Sequence, residues 1–173
     1  VIMFKHILVP LDGSFLAEAA LPAALALAAK FGSEITLLRV TSMSTIYYSD
    51  PYGGGAELLL EMRRQAQDET ADYLKARKGE LRQQGYIVHT QALEGESPAD
   101  AILDVAESQK MDTIVMSTHG RGGVARWVYG SVADKVLRHA DVPILLVRAK
   151  EEMAEEKVAE AKAKAKPIIE PAF

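Results

Sequence analysis

The sequence lacks cysteine, an excess of basic residues and any long apolar run. Without cysteine, the 173-residue chain has no disulfide, cysteine zinc site, iron–sulfur cluster or thiol nucleophile. Its 20 Lys and Arg residues stand against 24 Asp and Glu residues, and this net charge of −4 disfavours a dedicated nucleic-acid binder. No apolar run approaches the ~18–20 residues that cross a bilayer, and the first residues do not resemble a signal peptide. We therefore expect a cytoplasmic protein that binds neither nucleic acid nor membrane.

Five short apolar runs alternate with helical patterns along the chain. Most are rich in branched residues and lack polar alternation, as is typical of strands that are buried on both faces. The order β-α-β-α-β-α-β-α-β predicts one α/β domain with a five-stranded parallel sheet and helices on both faces. Such a sheet binds ligands beyond the carboxyl ends of its strands, where the strand order reverses. The predicted strands cover residues 6–11, 34–40, 86–93, 113–116 and 143–147.

Capping and breaking residues mark the predicted helices. Ser14 is a candidate N-cap for a helix over residues 15–31, and Gly32 ends it. Pro22 lies inside this stretch and predicts either a bend or a later helix start. The other helices are predicted over residues 56–84, 97–110 and 131–139.

Composition divides the chain near residue 150. We expect a domain over residues 1–149 and a tail over residues 150–173, in which Ala, Glu and Lys dominate. The tail is either a frayed helix or disordered. Within the domain, residues 41–55 hold three tyrosines and three consecutive glycines, and a loop of this length is often functional.

A glycine-bearing segment after the fourth strand carries the clearest chemical signal. Nine residues separate Gly120 from Gly130, which opens a helix with Ser131. Glycines let backbone N–H groups approach an anion, and a helix start adds N–H donors at the positive end of its dipole. The pattern predicts a phosphate cradle, and the alternative is an ordinary glycine-rich loop. The P-loop and dinucleotide fingerprints are both missing.

With these motifs, residues 4–148 resemble the universal stress protein family. The nucleotide-binding branch of that family has the pattern G-x-x-G-x9-G-[ST]. Gly120, Gly130 and Ser131 match this pattern, whereas Ser117 stands in place of the first glycine. The resemblance rests on the segments Val9-Pro10-Leu11-Asp12-Gly13-Ser14, 116–123, Gly130-Ser131-Val132-Ala133 and 142–147.

The resemblance implies an adenine nucleotide hydrolase-like, Rossmann-like fold with strand order 3-2-1-4-5. It also implies that ATP or another adenine nucleotide binds with Mg²⁺, with Asp12 near the ribose, the phosphates or the metal. Pro10 and Val40 would border the adenine. Family members commonly dimerise through the last strand, so a homodimer through residues 143–147 is implied. The implied nucleotide site comprises Pro10, Leu11, Asp12, Val40, Met116, Ser117, Thr118, His119, Gly120, Arg121, Gly122, Gly123, Gly130, Ser131, Val132 and Ala133, with Asp12 as metal ligand and no catalytic residue.

The implied function is that of an ATP-binding regulatory protein of the stress response, which acts as a nucleotide-dependent switch. Any ATP hydrolysis would be slow, because no residue stands out as the base for an attacking water. One alternative is a family interaction module that dimerises without nucleotide. A phosphorylated receiver domain would need an acidic cluster after the first strand, where only Asp12 is present. An adenylating enzyme would need a longer pyrophosphate loop than Asp12-Gly13-Ser14 provides.

Overall fold

The computed structural model describes residues 4–41, 55–118 and 130–148, and strands and helices alternate along them. Each predicted element is present, with ends that differ from the expected ones by one or two residues. The elements are β1 (His6–Pro10), α1 (Phe15–Glu18), α2 (Leu21–Phe31), β2 (Glu34–Thr41), α3 (Gly55–Gln83), β3 (Ile87–Glu94), α4 (Pro98–Ser108), β4 (Thr113–Ser117), α5 (Ser131–His139) and β5 (Ile144–Val147).

The five strands form one parallel sheet in the order β3-β2-β1-β4-β5. This is the expected order 3-2-1-4-5, so the α/β fold class is confirmed. β1 lies at the centre and pairs with β2 on one side and β4 on the other. The sheet edges are β3 and β5.

Helices cover both faces of the sheet and divide the core into two clusters. On one face, α2 and α3 pack on Ile7, Val9 and Leu37. On the other face, α4 and α5 pack on Leu8 and Leu38. Neighbouring residues of β1 and β2 thus belong to opposite clusters, which explains why these strands are continuously apolar. Within the described ranges, no helix combines the length and apolar character that a membrane span requires.

The stretch after Ser14 folds as two helices rather than one. The Ser14 hydroxyl accepts a hydrogen bond from the Ala17 amide at 3.1 Å and caps the short helix α1. Pro22 then lies in the first turn of α2, where its missing N–H costs no helical hydrogen bond. Gly32 ends α2 in the left-handed conformation, with φ of 63°. Of the two effects predicted for Pro22, the later helix start is the one observed.

Because β2 is an interior strand of the sheet, truncating its buried residues should lower the free energy of unfolding. Ile35 is fully buried and pairs in register with Val88 of β3. We expect Ile35→Ala to lower the free energy of unfolding by ~2–5 kcal/mol, because the lost side chain leaves a cavity. Ile87→Ala is the matched control, since Ile87 lies on the neighbouring strand and is 56% exposed. Its cost should stay below about 1 kcal/mol. Equal losses in urea unfolding would contradict this account of the core.

Candidate functional site

The hydrogen-bond ladder between β1 and β4 stops before either strand ends. It joins Ile7 to Thr113 and Leu8 to Ile114. β1 continues beyond Leu8 in register with β2, and β4 continues in register with β5. The carboxyl ends of β1 and β4 therefore border a crevice at the point where the strand order reverses. We call it the β1–β4 crevice, and its position is the one in which doubly wound sheets bind ligands.

The β1 side of the crevice is a tight turn over Asp12, Gly13 and Ser14. Asp12 Oδ1 accepts a hydrogen bond from the Ser14 amide at 2.8 Å. Gly13 has a φ of +82°, a conformation that side chains other than glycine disfavour. The Leu11 amide still donates to the Leu38 carbonyl at 2.8 Å, so β2 holds the start of the turn.

The β4 side of the crevice is held by backbone hydrogen bonds. The Thr118 amide donates to the Val147 carbonyl, and the Thr118 carbonyl accepts from the Gly130 amide, both at 3.0 Å. Thr118 and Gly130 are therefore in direct contact. Ser117 and Thr118 are buried. Gly130 is the N-cap of α5 and supplies no side-chain cap, so the first amides of the helix are presented at this point.

Predicted site residues from four segments lie along the carboxyl edge of the sheet. Pro10 ends β1, Val40 lies near the end of β2, and Ser117 ends β4. The side chains of Leu11 and Met116 are buried in the two core clusters. Gly130, Ser131, Val132 and Ala133 form the start of α5. His119, Gly120, Arg121, Gly122 and Gly123 lie outside the described residues.

The proposed metal ligand Asp12 belongs to no larger ligand cluster in the part of the chain that the structure describes. No group of three or more histidine, aspartate or glutamate residues there has the geometry to hold a metal ion. Mg²⁺, however, commonly binds through one or two carboxylates together with substrate phosphates. A single carboxylate at the end of β1 fits a metal that arrives with a nucleotide.

Behind the turn lies a set of charged and aromatic side chains that sequence reasoning missed. We call it the buried ion cluster, and it comprises Glu18, Arg39, Glu69, Tyr73 and Arg77. Glu18 and Arg39 are only 6% and 7% exposed. Their partners come mainly from α3, which packs on β2. The one available signal was a charge at Arg39 within the apolar strand Glu34–Thr41.

Each buried charge of this cluster has partners. Glu18 Oε1 accepts a hydrogen bond from the Tyr73 hydroxyl at 2.8 Å and lies 3.0 Å from Arg77 Nε. Arg39 Nη2 donates to Glu69 Oε1 at 3.2 Å. The two guanidinium groups also lie near the Tyr73 ring, 4.9 Å from its centroid for Arg39 and 5.8 Å for Arg77. Burial, reinforced by the charge of Glu18, holds the pKa of the Tyr73 phenol well above its usual range.

Comparisons with known proteins agree with the geometry. A model of the universal stress protein family matches residues 3–148. The chain is 35% identical to a universal stress protein of Methanocaldococcus jannaschii, over 84% of this chain and 83% of that protein. It is 34% identical to one of Thermus aquaticus, over 84% of this chain and all of that protein. A solved structure of another universal stress protein of M. jannaschii has a TM-score of 0.75 at 29% identity, covering 86% and 98% of the two chains.

More distant structures share the fold and contain nucleotides. A universal stress protein in complex with cAMP has a TM-score of 0.55 at 20% identity, covering 86% of this chain and 99% of its own. A family protein of Arabidopsis thaliana with AMP bound has a TM-score of 0.61 at 17% identity, covering 86% and 94%. At these identities the likeness shows the fold alone.

The hydrogen bond between Tyr73 and Glu18 should make the free energy of unfolding depend on pH in the alkaline range. Tyr73→Phe leaves the buried Glu18 carboxylate without this donor, so we expect a loss of about 1–3 kcal/mol in the free energy of unfolding at neutral pH. Because the folded-state pKa of Tyr73 is raised, the phenol stabilises the fold fully below its unfolded pKa of about 10. That contribution falls as the pH rises from there towards the folded-state pKa.

Urea unfolding of the wild type and Tyr73→Phe, from about pH 7 to about pH 11, tests this expectation. The gap between their unfolding free energies should be constant near neutral pH and shrink above about pH 10. A gap of constant size across the whole range would contradict the raised pKa.

Proposed function

Because the chain belongs to the universal stress protein family, we propose that it binds ATP with Mg²⁺ and acts as a nucleotide-dependent switch in the stress response. The observation that carries this proposal is the β1–β4 crevice, where the turn at Asp12 follows the end of β1 and the start of α5 is hydrogen-bonded to Thr118 just after the end of β4. A carboxylate on one side and helix N–H donors on the other suit a metal-bound phosphate chain. Family structures with AMP and cAMP support an adenine nucleotide as the class of ligand.

In this proposal each side of the crevice has its own task. Pro10 and Val40 border the adenine, and Asp12 reaches the ribose or the metal. The phosphates lie against the segments at residues 117–123 and 130–133. Ser117 replaces a motif glycine, but it lies in β4 in register with Val147, a position that accommodates a side chain. The proposed site therefore keeps its backbone donors despite this departure.

We propose a regulatory role rather than fast catalysis. Hydrolysis of ATP needs a positioned water and a group that accepts its proton. In the proposal Asp12 is engaged by the Ser14 amide and the metal. Asp134, in the first turn of α5, is paired with Arg138 at 2.9 Å. ATP hydrolysis is slow at most, and the nucleotide acts by occupying the site.

The proposed domain boundary lies near residue 149. The family match ends at residue 148, which supports a nucleotide-binding domain over residues 1–149 and a separate tail over residues 150–173. We propose that this domain works in the cytoplasm, where millimolar ATP is available to it.

Nucleotide binding is tested first on the protein as purified. We expect mass spectrometry of the denatured wild type to detect an adenine nucleotide, and calorimetry to give binding of ATP with Mg²⁺. Gly130→Val should abolish both, because its Cβ would lie 3.4 Å from the Thr118 carbonyl oxygen and its branched atoms would crowd the N–H groups at the start of α5. Gly79→Val, at an exposed glycine of α3 with open space around it, is the control and should bind as the wild type does.

Asp12→Asn tests the contribution of the metal to binding separately from that of the nucleotide. The amide oxygen still accepts from the Ser14 amide, but the carboxylate charge is lost. We expect about tenfold weaker binding of ATP with Mg²⁺, and unchanged binding of ATP in a chelator. Absence of nucleotide from the wild type, with no binding heat at millimolar ATP, would favour the interaction module that dimerises without nucleotide.

We also propose a homodimer through β5. Its residues Ile144, Leu145, Leu146 and Val147 are all apolar, and Leu145 is 39% exposed at the sheet edge. The opposite edge, β3, carries polar residues such as His89 and Gln91. An exposed apolar edge strand invites pairing, whereas a polar one resists it. The two edges thus favour β5 as the surface that meets a second copy.

Charge placed on either edge tests the dimer. Leu145→Lys should convert the protein to a monomer in sedimentation equilibrium, because two copies of the lysine would meet near the twofold axis. Ile87→Lys places the same charge on β3, where Ile87 is 56% exposed, and should leave the dimer intact. Dissociation by Ile87→Lys alone would move the interface to the other edge.

A further inference from the structure

Arg39 is a buried cation that lies directly behind the turn over Asp12, Gly13 and Ser14. Its neighbours along β2, Leu38 and Val40, pack with the α4 and α5 cluster. Successive side chains of a strand point to opposite faces, so Arg39 points to the face covered by α2 and α3. It is 7% exposed, an unusual degree of burial for an arginine.

The Arg39 guanidinium occupies the space that a side chain at position 13 would need. A methyl group on Gly13 would lie 3.2 Å from Arg39 Cζ, 3.2 Å from Nη1 and 3.3 Å from Nη2. These distances are tighter than ordinary carbon contacts, and all three involve the planar group. The backbone of Gly13 therefore rests against the guanidinium plane.

The guanidinium is itself held in place from α3. Glu69 accepts its hydrogen bond at 3.2 Å, and the Tyr73 ring lies against it at 4.9 Å. The Tyr73 ring limits the planar guanidinium on one side, and the Glu69 side chain, which is 67% exposed, adds one hydrogen bond. The guanidinium therefore presents its plane on the other side. Gly13 lies against that surface, with Asp12 before it and Ser14 after it.

We propose that Arg39 is a positioning residue for the nucleotide site, which holds Gly13 so that the Asp12 carboxylate points to the metal-bound phosphates. This inference rests on the proposed function and adds a residue to it. Arg39 acts through the turn and does not touch the ligand. A displacement of about 1 Å in a positioning group lowers the efficiency of a site substantially. The planar contact, rather than the positive charge alone, is what the turn requires.

The contact is tested first without nucleotide, by a double-mutant cycle on folding stability. Gly13→Ala introduces both the strain of a positive φ and the clash with the guanidinium. We expect the factor by which Gly13→Ala raises the unfolding equilibrium constant to be at least fivefold smaller in the Arg39→Ala background. If Arg39→Ala does not fold, Arg39→Met replaces it in the cycle.

Gly85→Ala is the matched control for this cycle. Gly85 has a φ of +92° and nothing within 4 Å of the added methyl group, so it carries the strain without the clash. Its cost should be the same in both backgrounds. If Gly13→Ala also raised the unfolding equilibrium constant by the same factor in both backgrounds, the contact between Gly13 and Arg39 would be overturned.

Binding of ATP with Mg²⁺ then tests the positioning role. We expect Arg39→Met to weaken binding about tenfold and Arg39→Lys to weaken it similarly, because lysine keeps the charge but lacks the plane. Binding of ATP in a chelator should be unchanged, as for Asp12→Asn. Arg39→Met should add no further loss in the Asp12→Asn background, because the two act on one group.

Arg77→Met is the control that distinguishes a positioning role of Arg39 from a loss of folding stability. Arg77 lies near the same Tyr73 ring, but it pairs with Glu18 and Glu80. It should lower stability and leave the affinity within twofold. Three results would each overturn the positioning role of Arg39 while leaving the proposed function intact. They are equal losses of affinity in Arg77→Met and Arg39→Met, full affinity in Arg39→Lys, and unchanged affinity in Arg39→Met. No binding by the wild type would overturn the proposed function and this role with it.

Discussion

The separation of β1 and β4 beyond Leu8 and Ile114 is the constraint on which the arrangement of the sheet's carboxyl edge depends. Crossovers between parallel strands are almost always right-handed. Here the chain builds outward from β1 through β2 and β3 and then returns to the other side of β1. The return leaves β1 and β4 adjacent but with their following segments on opposite faces. Their hydrogen bonds stop at Leu8 and Ile114, while each strand stays bonded to its other neighbour. The crevice follows from topology before any particular side chain enters it.

Burial of charge beside this crevice has a cost that the structure offsets through the ring of Tyr73. An arginine and a glutamate taken out of water, here Arg39 and Glu18, destabilise a fold unless they are paired and hydrogen-bonded. Glu18 is met by the Tyr73 hydroxyl and by Arg77, and Arg39 by Glu69 and the ring face. Hydrogen bonds of this kind restrict the groups that they join, although Arg77 Nε, which lies beside Glu18, makes no hydrogen bond to any described residue. Rigidity is the property that a turn carrying a ligand group needs.

Local signals were enough to predict the order and type of the elements. Ser14 caps α1 and Gly32 ends α2, both as expected. The split of the first helix followed from Pro22, although the sequence did not decide between a bend and a later start. Strand order entered through the family resemblance, because alternation alone specifies parallel strands without fixing their sequence across the sheet.

The buried ion cluster could not be predicted in the same way. Glu18 and Tyr73 are 55 positions apart, and Arg39 and Glu69 are 30 apart. Glu18, Glu69 and Tyr73 look like ordinary surface residues of their own elements, and only the packing of α3 near α1 and β2 brings them to their partners. An arginine within an apolar strand indicates a buried partner, but the sequence does not say which acid or ring supplies it. The predicted residues 119–123 lie beyond the described structure and stay a prediction.

The two sides of the crevice are held by different kinds of bond, and this difference explains where the sequence is free to vary. On the β4 side, Thr118 is fixed by backbone hydrogen bonds to Val147 and Gly130, and the small side chain of Ser117 leaves both intact. A serine in place of the motif glycine therefore removes none of the bonds that anchor this segment. On the β1 side, the turn depends on Gly13 having no side chain and on Arg39 filling the space beneath it. Substitution is thus restricted at Gly13 on the side that carries Asp12, whereas on the β4 side the serine at position 117 is accommodated.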